Sequence, residues 1–254
     1  MRFLLYNIGL VRHLVRRDFV LNYRRSALGL LWSLLLPLGH LVVLVFVFAE
    51  IVPLDIEAYP AFLFSALLPW TWFSTSVNAA GRLFLNNRDL LRRPNFAPAT
   101  LMVVSALSNL LTYLAALPVL VAILAWYGRT LTPAVAALVV LLPVEGVLIV
   151  GLGLVVATLN VFYRDVEYIV SVLLWLLFYL TPVFYRLPQG LRWAGSLYVA
   201  NPMAALIEGY RRVFFEGHLP DWNRLVVAGL MSVGAAALGY AVYRLRKHDL
   251  VDAL

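Results

Sequence analysis

The sequence contains no cysteine and a single lysine, Lys247, and only 13% of its residues are charged. Without cysteine there is no disulfide, no thiolate metal site, no thiol nucleophile and no palmitoyl anchor. A nucleotide-binding P-loop requires a lysine followed by Ser or Thr, because that lysine reaches the terminal phosphates. Lys247 is followed by His248, so this chain cannot hold its own Walker site. Intramembrane hydrolysis is equally poorly supplied. Ser65, Ser74, Ser76, Ser105, Ser108, Ser171 and His40 are present, but no G-x-S-x-G elbow or H-E-x-x-H pair accompanies them. Low-complexity tracts and visible internal repeats are also missing, which removes support for an inverted-repeat carrier.

What remains is apolar. Hydrophobic residues make up 63% of 254, and a water-facing domain would carry about twice the charge found here. Six apolar runs have the length needed to cross the hydrocarbon as helix, roughly 20 residues for about 30 Å. They lie at 28–51, 59–80, 100–127, 133–163, 168–185 and 225–243. None alternates as a barrel strand does, so helices satisfy the backbone groups in lipid. The expected fold is all-α and integral to the membrane, with six spans in one domain over residues 1–254. The first run follows six arginines and outlasts a signal-peptide core, with no small-residue cleavage site behind it, so it is expected to stay in the mature protein.

Arginine placement sets the expected orientation through the positive-inside bias of short loops. Arg2, Arg12, Arg16, Arg17, Arg24 and Arg25 precede the first run; Arg82, Arg88, Arg92 and Arg93 separate the second and third; Arg244, Arg246 and Lys247 follow the sixth. All three sets fall on one side of an even-numbered bundle, which puts both termini in the cytoplasm. The first loop on the other side carries Asp55 and Glu57 and no basic residue. The net charge of +7 therefore sits where the chain leaves the bilayer, and a nucleic-acid partner is poorly supported.

Two segments read as lying on the membrane rather than crossing it. In 1–25, Leu4, Ile8, Val11, Val15 and Phe19 recur at helical spacing with Arg12, Arg16 and Arg17 off that stripe, an amphipathic interface helix. The stretch 183–223 mixes Pro188, Gly190, Trp193, Gly195 and Pro202 with short apolar runs, and reads as short re-entrant helices on the outer face. Small residues mark helix packing at Gly153 and Ala157, and at Ala228, Ser232 and Ala236.

Chemistry-bearing residues are few. His40 reads as a packing or pore-lining group ahead of a proton carrier. Glu145 lies about 28 Å along a continuous helix from Arg164; it either reaches the outer headgroups or bonds a neighbouring helix, with a substrate or gating role as the alternative. The loop 82–98 carries four arginines, Asp89, an outward pair Leu90 and Leu91, and Pro94 and Pro98. Such a short helix suits docking of a peripheral protein, and equally suits a headgroup-binding turn. Arg164 and Asp165 form a second tight junction. Aromatics are dense at 70–73 and 175–185, as interfacial belts or as stacking surfaces for sugar rings or a lipid chain.

Taken in order, Tyr23 to Trp32 with Pro37, LLPWTWFS, NNRDLLRRPNF, ATLNVFYRDV, LTPVFY and Asn201-Pro202-Met203 resemble the permease subunits of ABC exporters for bacterial polysaccharides and polyol phosphates. These are the O-antigen, teichoic-acid and capsule exporters, of the ABC-2 type. The resemblance implies a non-enzymatic half-transporter in the bacterial cytoplasmic (inner) membrane. It would pair with a second copy of itself and with two nucleotide-binding ATPase subunits, and would pass an undecaprenyl-linked glycan outward. No cofactor is then expected on this chain, ATP and Mg being held by the partner subunit. The resemblance assigns Arg12, Arg16, Arg17, Arg24 and Arg25 to an interface helix. ATPase coupling would fall to Arg88, Asp89, Leu90, Leu91, Arg92 and Arg93, with Arg164 and Asp165 added as a second coupling junction. The outer gate would be 183–223, and the channel candidates are Trp70, Trp72, Phe73, Phe178, Tyr179 and Tyr185. An ABC permease for small drugs or lipids is the runner-up, and an ion-coupled carrier stands behind both.

Overall fold

The computed structural model describes residues 9, 14, 15, 17, 31–52, 54–91, 96–186 and 201–253. Arg12, Arg16, Arg24, Arg25, Arg92, Arg93 and 187–200 lie outside the described residues; Arg17 is helical and half-buried.

Among the described residues the structure is helical, with no strand. The main elements are α1 (Leu31–Val45), α2 (Tyr59–Asn86), α3 (Arg88–Leu91), α4 (Pro98–Trp126), α5 (Leu138–Phe162), α6 (Val166–Leu180), α7 (Pro202–Arg211) and α8 (Trp222–Ala253). Proline sets several starts, since its fixed φ and missing N–H suit the first helical turn. Pro60 opens α2, Pro98 opens α4, and Pro202 opens α7 behind an Asn201 cap whose Oδ1 accepts from Met203 N at 3.0 Å. A 3-10 turn, Pro133–Ala137, leads into α5. α1 and α7 each run on into π-helical turns, Phe46–Ile51 and Arg212–Glu216.

Among the described residues four helices are long and apolar enough to cross a membrane: Leu34–Ile51, Pro98–Trp126, Pro133–Phe162 and Trp222–Lys247. The two remaining runs of the expected six differ for identifiable reasons. α2 has 28 residues but is the core helix, with every residue from Ala61 to Trp70 buried. Its Thr71, Ser74, Thr75, Asn78 and Arg82 lower its apolarity; the first three are half-buried and the last two exposed. α6 stops at Leu180, after 15 residues. The proline that follows Thr181 holds that residue extended, so Tyr185, expected inside the helix, lies beyond its end.

α2 packs against α1, α4, α5, α6 and α7, and α5 packs against α8. The α5–α8 crossing is the closest of these: a Cβ on Gly239 would stand 2.2 Å from the Gly151 carbonyl oxygen, and one on Gly151 would stand 2.5 Å from Ala236 N. Only glycine at both positions allows that approach. Gly153, by contrast, makes room for Met102 of α4.

Two ends of the bundle can be told apart by their contacts. At one, Tyr59 at the head of α2 donates to Phe184 O at 2.9 Å, Arg129 donates to Phe215 O at 3.0 Å and Thr132 to Gly217 O at 2.9 Å. At the other, the tail of α2 meets the α5–α6 junction, and Arg246 of α8 lies over the Phe162 ring at 5.5 Å.

Candidate functional site: a polar and aromatic cleft along α2

α1, α2 and α6 enclose a cleft of about 500 Å³, within the range of roughly 300–1,000 Å³ typical of ligand sites. Its back wall is one face of α2, where Thr71, Ser74, Thr75 and Asn78 follow at spacings of three and four residues. The Thr71 hydroxyl donates to Leu67 O at 2.7 Å, the Thr75 hydroxyl to Thr71 O at 2.6 Å and the Ser74 hydroxyl to Thr71 O at 3.4 Å. Each proton is thus turned back into the helix, as is usual for hydroxyls on a helical face. His40 of α1 looks across at this row, and Asn78 accepts from Ser171 of α6 at 3.0 Å.

The α6 side is aromatic. Trp70 lies 5.7 Å from Phe178, Phe178 lies 5.5 Å from Tyr179, and Tyr179 lies 5.3 Å from Trp175, all centroid to centroid. The rings continue from Phe178 to Phe184 at 5.6 Å and from Phe184 to Phe48 at 5.1 Å, towards the Tyr59 end. Of the channel candidates, Trp70, Phe178 and Tyr179 line the cleft. Trp72 does not: it donates from Nε1 to Ala106 O at 3.0 Å and lines a smaller cleft of about 180 Å³ between α1, α2 and α4. Residues two apart on a helix face opposite sides, which separates Trp72 from Trp70. Phe73 is buried beside Trp70, and Tyr185 donates to Tyr179 O at 3.1 Å without lining the cleft.

The junction at the tail of α2 is held by a residue that sequence reasoning quoted without giving it a role. Asn160, buried on α5, donates to Gly81 O at 2.7 Å and accepts from Glu167 N at 3.0 Å. Arg82 closes the arrangement with an ion pair to Glu167 at 2.7 Å. The signal that could have found it is a lone Asn before a helix break at Tyr163. Arg164 and Asp165 stand outside this knot, exposed on the turn.

The loop 82–98 also departs from its expected form. Residues 82–86 are the last turn of α2, Asn87 ends it, and Arg88–Leu91 is a single further turn. Leu90 and Leu91, expected to point outward together, divide: Leu90 is half-buried and Leu91 buried, while Arg88 and Asp89 are exposed. Neighbours on a helix differ by about 100°, and here the turn sets Leu91 inward and leaves Leu90 at the margin.

At the opposite end, Arg211 was likewise passed over in the sequence. It is 2% exposed, its Nη2 donates to Pro182 O at 2.7 Å and to Val183 O at 2.9 Å, and its guanidinium lies 3.9 Å from the Phe62 ring centre. Asn201 Nδ2 donates to Thr181 Oγ1 at 2.9 Å, joining the LTPVFY and Asn-Pro-Met segments. Glu145 does not reach any headgroup: it is fully buried against Tyr210 of α7, with Tyr113 of α4 beside it. Neither carboxylate oxygen has a hydrogen-bond partner among the described residues. Among the described residues no His, Asp and Glu cluster could hold a metal ion.

A helical bundle that is apolar outside and carries a hydroxyl-and-ring cleft beside its central helix has the make-up of a membrane transport subunit. Its sequence matches the ABC-2 type transporter family over residues 9–215, and the chain belongs to that family. It is 32% identical to the O-antigen export system permease protein RfbA of Myxococcus xanthus, over 97% of this chain and 95% of that one. A Klebsiella pneumoniae protein of the same name is 27% identical over 98% of each chain. The polysialic acid transport protein KpsM of Escherichia coli is 22% identical over 96% of this chain and 95% of its own.

Proposed function

We propose that this chain is the permease subunit of an ATP-driven exporter that moves a lipid-linked polysaccharide outward across the bacterial cytoplasmic membrane. The observation that carries the reading is the end-to-end match to an O-antigen export permease at 32% identity. The cleft supports it, because aromatic faces stack on the C–H faces of sugars while the hydroxyl row on α2 meets their edges. The run of rings from Trp175 to Phe48 supplies stacking surfaces along the way to the Tyr59 end.

In this reading α2 and α6 complete a set of six spans, and the 10-residue α7 is re-entrant, too short to cross at about 1.5 Å per residue. The end holding Arg82, Arg88, Arg164 and Arg246 faces the cytoplasm with both termini. A second copy of the chain closes the channel, and two ATPase subunits bind at the cytoplasmic end. There Arg88 and Asp89 of α3, with Arg164 and Asp165, offer charged contacts, and the Asn160 knot passes their movement to α2 and α6. ATP and Mg belong to those partner subunits.

The test is co-purification with a nucleotide-binding subunit, reconstitution, and measurement of ATPase rate with and without an undecaprenyl-linked glycan. Stimulation of hydrolysis with transfer of the glycan across the bilayer is the expected result. Hydrolysis by this chain alone, or no response to any lipid-linked glycan, would sink the proposal.

A further inference from the structure

We propose that the cleft between α1, α2 and α6 is a binding site for uncharged sugar units that discriminates against acidic ones. The inference rests on the polysaccharide reading above and adds a substrate class to it. Among the described residues that line the cleft there is no Arg, Lys, Asp or Glu. The nearest cation along α2, Arg82, is engaged with Glu167. The cleft is open on one side, and His40 is the one basic side chain among its described lining residues; a carboxylate or phosphate brought here gives up part of its water without gaining a fixed counter-charge, which disfavours it.

Hydrogen-bond polarity adds to that penalty. Thr71, Ser74 and Thr75 have their protons committed to carbonyls of their own helix, so what they turn towards the cleft is lone pairs. A sugar hydroxyl donates to such an oxygen and accepts in return from a neutral donor such as the Asn78 amide. An anionic oxygen can only accept, and at Thr71, Ser74 and Thr75 it meets lone pairs, which leaves the Asn78 amide as the one donor on this face of α2. The exposed ring of Trp175 binds a pyranose face whatever its charge, so the hydroxyl row, rather than the aromatic wall, sets the preference.

The full chain, purified with its ATPase subunit, is titrated with maltotriose and with trigalacturonic acid while tryptophan fluorescence is followed. Maltotriose is expected to bind at least about tenfold more tightly. Thr71→Val keeps the side-chain shape and removes one acceptor, so it should weaken maltotriose by about fivefold, the usual effect of one hydrogen bond, and leave trigalacturonic acid unchanged. Ser74→Lys supplies the missing cation and should bring the acidic sugar level with or above the neutral one; each variant is read only with a thermal midpoint matching the parent. Equal or tighter binding of trigalacturonic acid by the parent protein, an unchanged preference in Ser74→Lys, or no binding of either sugar overturns the inference. Export of a lipid-linked glycan by the same preparation is scored separately. If export persists while these sugars fail, the site assignment falls alone; if no glycan is exported, the exporter reading falls with it.

Discussion

Replacing Asn160 by alanine removes the hydrogen bond that ties the α5–α6 junction to Gly81 O in the tail of α2, and the one from Glu167 N that closes the junction itself. The two losses are unequal. Glu167 N lies in the first turn of α6, where no intrahelical acceptor exists, so it is stranded and costs about 1–3 kcal/mol. Gly81 O sits inside α2, keeps an intrahelical donor and loses only a second one, for about 1 kcal/mol. The total is about 2–4 kcal/mol, which for a chain of this size lowers the thermal midpoint by roughly 4–16 °C. Asn160→Asp preserves the acceptor for Glu167 N but sets a carboxylate oxygen against Gly81 O and beside Glu167, so it should be no more stable than Asn160→Ala. Asn87→Ala loses one half-exposed cap to Leu83 O and should cost less than about 1 kcal/mol. The assay is thermal unfolding in detergent followed by tryptophan fluorescence. An Asn160→Ala midpoint within a degree of the parent would refute the assignment of this residue as the junction's fastening.

Gly239→Ala pushes a methyl into Gly151 O and should destabilise by about 1–3 kcal/mol, whereas Gly234→Ala, with nothing within 4 Å of the added carbon, should be neutral in the same melt. Arg211→Met strands Pro182 O and Val183 O; hydrogen exchange at 181–186 should rise by at least about tenfold, and unchanged protection would dismiss the staple. Leu91→Asp buries a charge against the core and should lower the yield of folded protein. Asp89→Lys, fully exposed, should leave the fold intact while reducing ATPase stimulation in the reconstituted complex.

The helices were legible because their determinants are local. Apolar length and the prolines at 60, 98 and 202 act within a few residues, whereas the end of α6 at Leu180, short of the expected 185, was not read. What could not be read was which helix sits at the centre. α2 and α4 look alike as apolar runs, yet α2 is covered by five neighbours, and its hydroxyl row becomes meaningful only once His40 and α6 face it. Part of the site was recoverable from spacing: Trp70 and Trp72, two residues apart, fall on opposite sides of α2. Asn160, Glu167 and Arg211 were overlooked for the same physical reason, since each works on a backbone group 28 to 79 residues away or on a partner 85 residues away. Partners that distant leave no pattern in a single sequence.

The placement of those three residues bears on how the cleft could change width. α6 has no buried residue of its own and is fastened at its two ends, by Glu167 to Arg82 and Asn160 at one and by Thr181 to Asn201 at the other. Between these points Val170, Leu174, Leu177 and Phe178 pack half-buried against the core, and Ser171 donates to Asn78. α1, the opposite wall, is mostly exposed over its apolar length. A rigid back wall with two lightly packed side walls lets the cleft open by tilting α1 and α6 about fixed ends, without separating the helices that bury the core. The direction of that tilt is testable. Spin labels at Val43 and Leu174 should change separation with nucleotide on the ATPase subunit, while labels at Val147 and Leu230, on the tightly crossed α5 and α8, should not. Equal changes in both pairs would mean that the bundle moves as one body.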